Sequence, residues 1–144
     1  MQTFLPFANF DKCASVLDNK RLGKQRVETL QIFNALGGKS KGWTNHPAVR
    51  MWRGYESALF QYQVATVREW QQRGFQDTCL HKTAQAFGVT RENLEEKMSG
   101  PMPPWLGMFE LHQSHRSNLV RKDWTHYGQF GWPEDGTLPY VWPV

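Results

Sequence analysis

Only two cysteines, Cys13 and Cys79, occur in the 144-residue chain, far apart and at no metal-ligand spacing. A zinc ribbon and a disulfide scaffold are thereby excluded, and both residues read as buried, reduced thiols. No apolar run approaches the ~18 residues that a bilayer span requires. Met1-Gln2-Thr3-Phe4-Leu5-Pro6 lacks the basic start and long apolar core of a secretory signal, so a cytoplasmic location is expected. Apolar alternation at period two is scarce, which argues against a sheet. There is no glycine-rich phosphate loop, nucleophile elbow or Cys–His catalytic signature, and the usual nucleotide-cofactor and hydrolase classes drop out. His112 and His115 are spaced like two ligands on one helix, but no third ligand accompanies them, so no metal and no cofactor are expected. Carboxylates are the scarcer charge, 13 against 17 lysines and arginines. The resulting net charge of +4 and pI of about 9.2 favour an anionic partner.

Aromatic residues, by contrast, are plentiful at 14%, including seven tryptophans. The length suits one domain, residues 1–144, with a real core. Apolar residues recur at steps of three and four, and the expected fold is all-α: two long helices, shorter helices and an aromatic C-terminal tail. Asp18 suits the N-cap of the first long helix and Gly37-Gly38 its end. Pro47 suits the first position of the second, which carries Trp52, Tyr55, Leu59, Tyr62, Thr66 and Trp70 as far as Gly74, roughly 40 Å. Shorter helices are expected near 78–87, 90–98 and 109–122, and Pro101-Met102-Pro103-Pro104 reads as a corner within the domain.

Wound at about 100° per residue, the first long helix places Lys20, Arg21, Lys24, Glu28 and Gln31 on one flank. Leu22, Leu30, Phe33 and Leu36 fall on the opposite, buried flank. The cations suit a phosphate backbone, and the lone carboxylate among them needs a reason to be there. One reason is an i,i+4 pair with Lys24, worth roughly 0.2–0.5 kcal/mol; the other is chemistry. Gly42-Trp43-Thr44-Asn45-His46-Pro47 leads into a second group. There His46, Arg50 and Arg53, with a helix N-terminus, resemble a phosphate clamp beside stacking surfaces. Trp52 is expected in the core, and His46 also suits a cap. His115-Arg116 with Arg121-Lys122 reads as a further basic surface.

The Arg-Val-Glu helix, the Asn-His-Pro start, Arg73-Gly74-Phe75-Gln76-Asp77-Thr78, and Arg116 followed by Trp124-Thr125-His126-Tyr127-Gly128 resemble, in this order, the pyrimidine-dimer DNA glycosylase family. The segment Leu17-Asp18-Asn19-Lys20-Arg21-Leu22-Gly23-Lys24-Gln25-Arg26-Val27-Glu28 is similar to that of a bacterial and phage branch of it. The resemblance implies a compact all-α fold and a monomer acting on double-stranded DNA without cofactor. It also implies cleavage of a damaged base from its sugar, then strand scission, with an N-terminal α-amine as nucleophile. Glu28 matches the family's essential glutamate. Gln2 stands where the family exposes threonine; a bulky second residue retains Met1, which assigns the amine to Met1. Val27 and Gln31 replace family arginines, and Arg21, Lys24 and Arg26 are expected to supply phosphate contacts instead. Arg50, Arg53, His46, Arg116, Arg121 and Lys122 complete the expected DNA-binding set. The rival readings are a non-catalytic DNA-binding protein of the same fold and a glycosylase for modified phage bases.

Overall fold

The computed structural model describes all 144 residues. Asn9 opens α1 (Phe10–Val16), its side chain accepting the Lys12 N–H at 2.8 Å. Asp18 caps α2 (Asn19–Leu36) in the same way, accepting the Arg21 N–H at 3.3 Å, and α2 ends at Gly37. The expected second long helix is interrupted. Pro47–Arg50 forms a short α3, and α4 (Glu56–Gln72) begins only after a turn. The cause is Gly54, whose φ of +87° lies in the left-handed region, with its N–H on Glu56 Oε1 at 3.2 Å. The turn carries Trp52 fully into the core, edge-on to Trp105 at 4.9 Å. α4 is therefore about 25 Å long rather than 40 Å.

Beyond it lie α5 (Cys79–Phe87), a single turn α6 (Leu94–Lys97), α7 (Phe109–Lys122) and another single turn α8 (Trp124–Tyr127). There is no strand. α2 packs on α4 and α5, and α1 packs on α4. The α2–α4 approach is close: a Cβ at Gly23 would lie 3.1 Å from the Trp70 ring. Leu22 and Phe33 are buried as their spacing implies, Leu30 and Leu36 only half-buried, and Gln25, Thr29 and Ile32 are buried with them. Both cysteines are buried and unpaired. No helix is long and apolar enough to cross a membrane.

Two elements without helical periodicity shape the site. Residues 2–5 run extended and buried through the middle of the protein, and the chain bends from Pro6. Adjacent side chains of extended backbone point oppositely, so Phe4 enters one apolar cluster (with Leu17, Leu22, Leu119 and Tyr127) and Leu5 the other (with Ile32, Trp52, Leu59 and Leu111). The C-terminal tail lies along α7. Ser117 Oγ accepts the Leu138 N–H at 2.9 Å, Ser114 Oγ accepts the Val141 N–H at 3.1 Å, and Asn118 Nδ2 donates to Leu138 O at 3.1 Å.

Candidate active site

An extended segment threaded through a core leaves backbone donors and acceptors that must be paired. Side chains meet most of them. Phe4 N–H donates to Gln25 Oε1 at 2.8 Å, and Tyr62 Oη lies 2.8 Å from Phe4 O. Trp52 Nε1 donates to Thr3 Oγ1 at 3.0 Å. Leu5 is held at both ends: its N–H donates to His115 Nδ1, and its carbonyl contacts His112 Nδ1, each at 2.8 Å. The other ring nitrogen of His112 accepts the Gly107 N–H at 2.9 Å. This fixes His112 as the Nδ1–H tautomer and His115 as the Nε2–H tautomer. The expected basic surface at His115 is thus corrected. Both histidines are buried, and burial drives His115 down to about 3, with the neighbouring His112 adding to the effect.

This anchoring delivers Met1 into a cleft of about 280 Å³ lined by Met1, Gln2, Phe4, Lys20, Arg21, Lys24, Glu28, Lys122, Tyr140 and Trp142. Glu28 Oε2 accepts the backbone N–H of Gln2 at 3.3 Å and the Gln25 side-chain amide at 3.2 Å. No ion pair joins Glu28 to Lys24, so helix pairing does not explain the carboxylate. Instead Glu28 holds the peptide group adjoining the α-amine. His46 lies close enough to the N-terminus to feel it: burial lowers its proton affinity first, and the N-terminal ammonium lowers it further.

Four cations face this one carboxylate. Lys122 titrates below the usual lysine range, through burial and then through repulsion from Arg21, Arg121 and Lys24. Crowding of cations that outnumber the carboxylates beside them suits a polyanion. Arg21 is steadied by Asp18 at 3.2 Å, and Asp18 receives the Tyr127 hydroxyl at 2.5 Å. Burial is the largest single influence on Asp18 and raises it, but the bonds from Tyr127 and Arg21 together outweigh it and keep the carboxyl below its usual range. Tyr140 is pushed up to about 12, chiefly by burial.

The structure therefore gathers Met1, Glu28, Arg21, Lys24 and Lys122 in one place. His46 adjoins the cleft edge-on to Trp142 at 5.9 Å, while its Nδ1 accepts the Ala48 N–H at 3.0 Å. That N–H is consequently occupied and does not await an anion. Arg50 and Arg53 are exposed on the neighbouring turn, Arg53 donating to Thr44 O at 3.0 Å. Three arginines have other commitments. Arg26 pairs with the buried Asp77 at 2.5 Å and lies over the Trp70 ring at 4.3 Å. Arg116 pairs with the buried Glu134 and donates to Pro6 O at 2.8 Å. Arg121 is exposed and holds the tail through Gly136 O at 3.0 Å and through Asn118. The cleft residues that periodicity did not single out are Gln2, Phe4, Tyr140 and Trp142, and Lys20 joins the cations.

The family model for pyrimidine dimer DNA glycosylase matches residues 1–83, more than half of the 144-residue chain. The chain belongs to this family. The matched part contains the threaded N-terminus, all of α2 with Glu28, and His46. Lys122, Tyr140 and Trp142 lie beyond it and complete the cleft from the C-terminal side. No curated protein and no solved structure matches the chain.

Proposed function

We propose that this DNA glycosylase also has abasic-site lyase activity and acts on damaged double-stranded DNA, pyrimidine dimers first among its substrates, with the α-amine of Met1 as nucleophile. The observation that carries the reading is Glu28: a carboxylate in a cation-lined cleft, bonded to the peptide N–H next to the α-amine. An α-amine has an ordinary pKa of about 7.7–8.0, so part of it is neutral near pH 7, unlike a lysine.

The damaged nucleotide leaves the base stack so that its sugar reaches the cleft. The amine attacks C1′, the glycosidic bond breaks, and the base departs with the bonding electrons and takes up a proton. Loss of the amine proton and opening of the sugar ring give an imine, with O4′ protonated. Glu28 stabilises the cationic sugar and then removes a 2′ proton; the electrons freed expel the 3′ phosphate, and water releases the protein. Lys20, Arg21, Lys24 and Lys122 hold the flanking phosphates, and Arg50 and Arg53 extend the track.

Incision of an ultraviolet-irradiated duplex, an abasic duplex and an undamaged duplex tests this reading. Cleavage of the first two alone is expected. Cleavage of the abasic duplex alone would retain the lyase and move the glycosylase substrate to another altered base. Binding of all three without cleavage would leave a DNA-binding protein.

A further inference from the structure

Gln25 is fully buried on a helix face where an apolar residue would be expected. An amide buried there is costly unless every polar atom is paired. Here every one is. Nε2 donates one proton to Gln2 O at 2.9 Å and the other to Glu28 Oε2 at 3.2 Å. Oε1 accepts the Phe4 N–H at 2.8 Å and lies 2.5 Å from the Tyr62 hydroxyl. An amide has two donors and two acceptor lone pairs: both donors and the lone pair facing Phe4 N–H are used, and the other lone pair shares the single Tyr62 proton with Phe4 O. Its orientation is fixed as well: turned over, the NH2 would face an N–H and the oxygen would face a carbonyl and a carboxylate.

We infer that Gln25 is a positioning residue for the reaction, holding the backbone of residue 2 and the Glu28 carboxylate on the two hydrogens of one nitrogen. The inference rests on the roles given to Met1 and Glu28 above. The α-amine and the carboxylate sit on separate segments, an extended N-terminus and α2, so their separation must be set by something touching both. Gln25 touches both. Tyr62 braces the amide from α4 by approaching Oε1 and Phe4 O together. Because Gln25 is inaccessible, it cannot contact DNA, and its effect must appear in the chemical step rather than in binding.

The test is single-turnover borohydride trapping on an abasic duplex, with DNA affinity measured in parallel. Gln25→Glu keeps the shape but replaces the double donor with an oxygen facing a carbonyl and a carboxylate. The trapping rate should fall about 10- to 100-fold, the scale of a misplaced reacting group, while affinity stays within about twofold. Tyr62→Phe keeps the ring and both amide donors, guards against a misfolded Gln25→Glu, and should slow trapping less than tenfold at unchanged affinity. Ser57→Ala removes bonds to Lys97 O and Gly100 N far from the cleft and serves as a destabilised control that traps normally. Trapping by the parent with undiminished rates in both variants would overturn the inference and leave the proposed function standing. An equal loss in Ser57→Ala, compared at equal folded fraction, would overturn it too, by assigning the effect to stability. A parent that traps nothing would overturn the roles of Met1 and Glu28, and the inference with them.

Discussion

Acidification from pH 7 to pH 5 should destabilise the fold, and His115 sets the size of the effect. Its ring is fully buried, with Tyr140 edge-on at 5.4 Å, and its Nδ1 accepts the Leu5 N–H. Protonation there would turn an acceptor into a donor facing a donor. The folded state holds His115 at about 3 against an ordinary 6.5, so between these values the unfolded chain binds more protons. Stability then rises with pH across that window and is complete above it. At 1.36 kcal/mol per pH unit, moving from pH 7 to pH 5 costs about 2 kcal/mol, a large share of a typical 5–15 kcal/mol. With a urea slope of roughly 2 kcal/mol per M, the unfolding midpoint should fall by about 1 M. His112 and His46 are also held below the ordinary range, chiefly by burial, and act in the same direction. Urea titrations at both pH values check this. His115→Asn keeps an acceptor for Leu5 N–H but cannot be protonated; it should be weaker at pH 7 and retain only the smaller slope from His112 and His46. Equal parent midpoints at pH 5 and pH 7, or an undiminished slope in His115→Asn, would refute the argument.

Binding to duplex DNA should weaken with salt at a log–log slope near −4.5, about five phosphates neutralised among Lys20, Arg21, Lys24, Arg50, Arg53 and Lys122. Arg26→Ala should leave that slope unchanged and cost about 3–5 kcal/mol in a denaturation experiment, because it strands the buried Asp77. Glu28→Gln should slow incision by about a hundred- to ten-thousand-fold while leaving DNA affinity equal or tighter, since a proton acceptor and a phosphate-repelling charge go together.

The sequence exposed those parts of the fold whose signals are local. The Asp18 cap, the Gly37 stop and the cationic flank of α2 lie where their spacing puts them, as does the helix at Phe109–Lys122. Apolar spacing continues across the break at Gly54 and conceals it, and a helix as short as α1 has too few turns to announce its Asn9 cap. Gln25 was invisible for a deeper reason. A buried amide carries no hydrophobic period, and its partners Gln2, Phe4 and Tyr62 are 21 to 37 residues away. The same distance concealed the commitments of Arg26 to Asp77 and Arg116 to Glu134, which as isolated cations look like any phosphate contact. His115 resembled a basic surface residue until Leu5, 110 positions earlier, supplied its partner. Tyr140 and Trp142 reach the cleft through bonds from Ser114, Ser117 and Asn118, which leave no pattern in the tail itself.

The central claim concerns which nitrogen attacks the sugar, and borohydride reduction during reaction with abasic duplex, followed by mass mapping of the adduct, tests it directly. Intact mass first establishes the first residue. The sugar should be found on the α-amine of Met1, and acetylating that amine should prevent the adduct. An adduct on Lys20, Lys24 or Lys122, or none on any damaged duplex, would contradict the account.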